Sequence, residues 1–129
     1  MEMTIRYEGG RKFLAECRGR AVTFDLPLGM GGKDTSLTPS EGLVASLGSC
    51  IGVYVVPFCE KNNIATNGMT IKMEWEKARD PERISLVRAR IILPDGKVGE
   101  KEKALLHEAE HCFVHNTLVN PPRIGIALG

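Results

Sequence analysis

The side chains in this 129-residue chain best suited to redox or metal chemistry are four cysteines and three histidines. Two of the cysteines sit inside distinctive segments. Cys50 closes the run Thr38-Pro-Ser-Glu-Gly-Leu-Val-Ala-Ser-Leu-Gly-Ser-Cys50, and Cys112 lies in His111-Cys112-Phe-Val-His115-Asn-Thr-Leu118. A thiolate can attack a weak O–O bond, and the resulting sulfenic acid can condense with a second thiol to give a disulfide. Two thiols on two separate buried elements are what that cycle requires. The plainer reading of any single cysteine is burial as a small hydrophobe. Cys17 and Cys59 are read that way. Cys59 follows Cys50 by nine residues, which turns it about 180° away on a regular helix.

His107, His111 and His115 recur every four residues with Glu108, Glu110 and Cys112 between them. Residues four apart share a helix face, so two of these imidazoles with a third ligand from elsewhere could hold zinc. An exposed polar helix face is the ordinary alternative. No ligand-spacing motif supports a metal site, so no metal and no cofactor is expected. The loop Gly29-Met-Gly-Gly-Lys33-Asp34 resembles a phosphate cradle only superficially. It has Pro27 where that motif needs its first glycine and Asp34 where it needs a hydroxyl. Leu47-Gly-Ser-Cys-Ile-Gly52 lacks the spacing of a serine-hydrolase elbow.

The elements that must position these thiols follow from turn signals and periodicity. Met3–Tyr7, Lys12–Cys17 and Ala21–Asp25 read as short strands, separated by turns at Gly9-Gly10 and Arg18-Gly19-Arg20. After a glycine-containing loop, Thr38 serves as N-cap, Pro39 fits the first helical position and Glu41 completes a capping box. Leu43 to Val56 is almost wholly apolar or small, the mark of a helix enclosed in a core. Pro57 is a kink point, and the helix runs on to about Lys61. Thr70–Glu76 alternates, with Ile71, Met73 and Trp75 on one face, and Ile84–Leu93 is a second β-rich run. Pro94-Asp95-Gly96 turns the chain. Glu100 to about His115 reads as one helix with Leu105, Ala109 and Cys112 on its apolar side, and Arg123–Leu128 as a closing strand. The order is βββ-α-ββ-α-β, an α+β fold around a buried central helix, in one domain spanning 1–129.

Seventeen basic residues stand against sixteen acidic ones, and their mixing gives no pull toward nucleic acid or a membrane surface. The start lacks the basic-then-apolar pattern of a signal peptide, and no apolar run is expected to approach the ~20 residues of a bilayer span. A cytoplasmic location is expected. Four cysteines in a reducing compartment are poor material for a static disulfide framework.

Both cysteine segments resemble those of the OsmC/Ohr family, the osmotically inducible protein C and organic hydroperoxide resistance proteins. Asp25-Leu-Pro27, Gly31-Gly-Lys-Asp-Thr35 and the element order also resemble the smaller OsmC-like branch, so the likeness covers nearly the whole chain. The resemblance implies an intertwined homodimer with reactive-cysteine sites formed partly across the subunit interface. It implies a peroxidase in which Cys50 attacks a hydroperoxide and Cys112 resolves the sulfenate to a disulfide, which an external dithiol reopens. Cys50 lies three turns inside its helix, where the helix dipole no longer acts, so a cation must keep the thiol ionised. The family places an arginine from the region of Arg18-Gly19-Arg20 over the reactive cysteine, and both arginines are candidates. Some members pair that arginine with a glutamate directly after the motif proline. Here Ser40 holds that position, and Glu41 is read as a cap. Leu47, Ile51, Tyr54 and Phe113 neighbour the thiols in sequence and are expected to line an apolar pocket favouring organic hydroperoxides. Two other functions fit: a small-ligand or acyl-binding module with incidental thiols, and a zinc-binding protein using the histidine helix.

Overall fold

The structure, a computed structural model, describes all residues 1–129. It divides into two compact units, Met1–Val44 and Ala45–Gly129, with the division falling inside the long first helix.

The first unit carries an antiparallel meander of β1 (Thr4–Tyr7), β2 (Phe13–Cys17) and β3 (Arg20–Phe24) in the order β1-β2-β3. Both turns use left-handed backbone. Gly9 and Gly10 lie at φ 93° and 57°, and Arg18 and Gly19 at 52° and 72°. The second turn has two residues, because Cys17 pairs with Arg20, and positive φ at both positions matches the twist of the flanking strands. The loop after β3 is organised by Asp25, which is only 2% exposed. Its carboxylate accepts bonds from the Thr35 hydroxyl (2.6 Å) and from the amides of Leu26 (2.8 Å), Thr35 (3.2 Å) and Lys33 (3.3 Å). Gly32 is required there, since a Cβ would collide with the carbonyl of Leu26.

Helix α1 spans Pro39–Lys61. Its start is a reciprocal cap. The Thr38 amide donates to Glu41 Oε1 at 2.8 Å, and the Glu41 amide donates to Thr38 Oγ1 at 3.1 Å, which satisfies two otherwise unpaired donors. Its end is equally defined. Asn63 takes φ 54°, and the Ile64 amide reaches back to the Cys59 carbonyl at 2.9 Å. That is a Schellman closure, completed by the burial of Cys59 and Ile64 in the same core.

In the second unit α1 lies on a hairpin of β4 (Thr70–Ala78) and β5 (Arg83–Ile92). Ile71, Met73 and Trp75 stand opposite Ile91, Ala89 and Val87, and a register shift follows Glu76. Gly48 and Gly52 let the strand side chains approach. Cβ atoms there would sit 3.1 Å from Met73 Sδ and 3.4 Å from Ile71 Cδ1. The core joins Leu47, Ile51, Val55, Cys59 and Ile64 to Leu105, Ala109 and Cys112. The last two come from α2 (Glu102–Ala109) and the N-cap of α3 (Phe113–Val119).

Three expectations need correction. The helix expected from Glu100 to His115 is two helices, because Cys112 adopts extended backbone (φ −69°, ψ 152°) and caps α3. Arg123–Leu128 forms no strand. Ile124, Ile126 and Leu128 alternate as a strand would but are 82%, 94% and 102% exposed, since alternation supplies a pattern and not a pairing edge. The observed order is therefore βββ-α-ββ-α-α. Finally, α1 is long and apolar enough, with mean hydropathy 1.8 over 18 residues, to meet the length and composition of a bilayer span. One side of it is buried in the chain's own core, while Leu43 and Val53 on the other are 46% and 67% exposed.

Candidate redox site

Cys50 and Cys112 meet in the second unit although 62 positions of sequence separate them (112 minus 50). Cys50 is half-buried on α1 and Cys112 fully buried at the head of α3. Both sulfurs are held by the first turn of α3. The Val114 amide donates to Cys50 Sγ at 3.4 Å, and the His115 amide donates to Cys112 Sγ at 3.3 Å. Amides at a helix start have no intrahelical acceptor, so they are free to point at a sulfur and favour negative charge on it.

Cys50 lies close enough to act on the ionisation of Cys112. Burial pushes the Cys112 thiol up from its ordinary value. The His115 amide pulls it back, and the hydrogen bond and charge of Cys50 raise it further. Burial comes first among these causes, so Cys112 is the sulfur that stays protonated. Cys59 is also pushed up, by burial first and Glu60 second. No disulfide is present, and all four cysteines are free.

Residues 32–127 match the OsmC-like protein family. The chain belongs to that family. No curated protein matches it in sequence. Solved structures share the fold of this OsmC-like chain at low identity. One is a Psychrobacter arcticus protein assigned to osmotic stress induction and detoxification response. It is 23% identical, with TM-score 0.81, over 89% of this chain and 85% of that one. An OsmC-like protein from Mycoplasma pneumoniae is 15% identical, with TM-score 0.75, over 93% and 87%. An organic hydroperoxide resistance protein from Legionella pneumophila is 19% identical, with TM-score 0.62, over 92% and 89%. Identities this low carry the fold and no more.

The other expected site residues are distributed differently. Arg18 and Arg20 are exposed on the β2–β3 turn and belong to the Met1–Val44 unit. Thr38 and Glu41 form the cap of α1 described above. Leu47 and Ile51 are spent in the core, and Phe113 is 73% exposed. Of the four pocket candidates, Tyr54 lines a groove. That groove, about 350 Å³, is walled by Val53, Tyr54, Pro57 and Phe58, with Lys61 and Glu108 beside them. It uses the α1 face that begins one turn beyond Cys50.

The histidine helix does not survive as a ligand array. His107 and His111 stack at 4.1 Å on α2 and just beyond it, while His115 belongs to α3. The His111 ring donates to the His107 carbonyl at 2.6 Å, closing the end of α2. No three His, Cys, Asp or Glu side chains converge to hold a metal ion.

Two contributors escaped sequence reasoning. The Val114 and His115 amides have no side-chain signature, and only the break in the helix exposes them. Asp25 was visible as a motif residue, yet nothing in the sequence tied it to Thr35 ten positions later. The Thr35 hydroxyl, helped by three amides and opposed by burial, lowers its carboxyl to about 2.

Proposed function

We propose that this OsmC-like chain is a cytoplasmic thiol peroxidase acting on organic hydroperoxides. The observation that carries the reading is the convergence of Cys50 and Cys112 on the first turn of α3. The Cys50 thiolate attacks the distal peroxide oxygen and becomes a sulfenic acid. The O–O bond breaks, and the alkoxide takes a proton and leaves as an alcohol. Cys112 then attacks the Cys50 sulfur, the S–O bond breaks, and a disulfide forms as water departs. An external dithiol, itself oxidised, returns both thiols. Arg18 or Arg20 adds a cation to the charged sulfur in the assembled protein.

Organic substrates suit the apolar wall of Val53, Tyr54, Pro57 and Phe58, because each buried methylene adds about 0.8 kcal/mol of binding. A homodimer is part of the proposal. Exposed apolar residues support it: Leu43 and Val53 on α1, and Ile124, Ile126 and Leu128 after α3. Turnover of cumene hydroperoxide, linoleic hydroperoxide and hydrogen peroxide by the native protein and by Cys50→Ser tests the reading. The expected result is faster turnover of the organic peroxides and none in the variant. Full activity in Cys50→Ser would refute a peroxidase, and equal rates for all three peroxides would refute the apolar selection. A ligand-binding module would keep its binding in that variant.

A further inference from the structure

The disulfide-forming half of the proposed cycle has a proton to move, and one ring nitrogen near Cys112 is free to take it. His115 Nδ1 is buried with no hydrogen-bond partner, and no other buried side-chain nitrogen or oxygen in the chain is left so. Buried polar atoms in folded proteins are nearly always paired, so such an atom calls for an explanation in function. The same residue's amide lies 3.3 Å from Cys112 Sγ, and covalent bond lengths hold Nδ1 within about 5 Å of that amide, so the ring is near the sulfur without bonding to it in this reduced form. The other two histidines are exposed, and the His111 ring is occupied by the His107 carbonyl.

We propose that His115 accepts the Cys112 proton during disulfide closure and passes it to the departing hydroxide. This rests on the peroxidase reading and adds a residue to its second step. With its proton on Nε2, the neutral ring presents Nδ1 as an acceptor. Cys112 gives up its S–H proton to Nδ1, which closes on the sulfur or reaches it through one water, as its sulfur attacks Cys50. The S–S bond forms, the S–O bond of the sulfenic acid breaks, and the hydroxide collects the proton from the imidazolium to leave as water. No net proton is released, and no oxidant beyond the hydroperoxide is used. The step answers a need set by the site. Cys112 is wholly enclosed, so solvent base has no ready path to it. The first half of the cycle, at the half-buried Cys50, has no use for this base.

The test separates the two halves. Native protein, His115→Gln and His115→Asn are each mixed with one equivalent of cumene hydroperoxide. Cys50 sulfenic acid is trapped with dimedone, and the disulfide is counted by mass spectrometry over time, with circular dichroism confirming the fold. The expected result is sulfenate formation within about twofold of native, with disulfide closure slowed at least about tenfold. With a second equivalent of hydroperoxide, sulfinic acid should accumulate at Cys50 in the slowed variants. Closure at the native rate in a folded variant overturns the proposal, as does an equal slowing of both halves, which marks a structural role. Should both variants fail to fold, the native protein is measured in heavy water. Slower closure with unchanged sulfenate formation is then expected, and closure at an unchanged rate overturns the proposal. A native protein that forms no sulfenate at all overturns the peroxidase reading itself.

Discussion

Cys50 and Cys112 divide their labour through environment rather than identity. The fully buried Cys112 keeps its proton, and the half-buried Cys50 accepts the Val114 amide. Since the thiolate is the reactive form, Cys112 and Cys59, both pushed above their ordinary range, will react slowly with iodoacetamide at neutral pH. Their alkylation will accelerate only as pH rises past 9, whereas Cys17 and Cys50, both partly accessible, are labelled first. Peptide mapping after timed alkylation checks this, and prior labelling of Cys112 contradicts it. Cys112→Ser will keep the first step and carry Cys50 on to sulfinic acid, because nothing closes the disulfide. Both cysteines were legible from their segments. The amides that serve them were not. A cysteine is absent from the usual helix-capping residues, so nothing in His111-Cys112-Phe-Val-His115 announced that a helix restarts there.

Helix α1 owes its place to its two ends and its glycines. Thr38→Ala removes the cap that the Glu41 amide uses and should cost about 1 kcal/mol, read as a lower denaturation midpoint. Gly42→Ala should cost about 1–3 kcal/mol by overpacking, because a Cβ there meets the Phe24 ring. An unchanged midpoint would show that the ring moves aside. Asp25 sets a pH dependence with a definite sign. Its carboxyl falls from 3.8 to about 2 on folding, so its stabilisation is complete above the unfolded value and is lost as pH falls from 4 toward 2. Amide exchange in the loop 25–35 should rise over that window in the native protein, and Asp25→Asn should flatten the response. Elements with strong local signals were readable: the capped start of α1, its end at Lys61 and the alternation of β4. Those decided by tertiary partners were not. The α2–α3 break depends on a sulfur cap, and the C-terminal alternation of Ile124, Ile126 and Leu128 has no partner strand within the chain.

At the scale of the whole molecule, the OsmC-like chain leaves apolar surface that its own fold does not cover. Ile126 and Leu128 are almost wholly exposed, as is much of the outer face of α1, and a second copy is the proposed cover. Sedimentation equilibrium should therefore return twice the chain mass of 14.1 kDa, and removal of residues 121–129 should shift the population toward monomer. A stable native monomer would contradict the dimer while leaving the thiol pair intact. The chemistry itself is tested most directly by the mass of the protein before and after one equivalent of cumene hydroperoxide, with the linked peptides mapped. The account predicts the loss of two hydrogens and a single new crosslink joining Cys50 to Cys112. An unchanged mass, or a crosslink that bypasses Cys50, would contradict it.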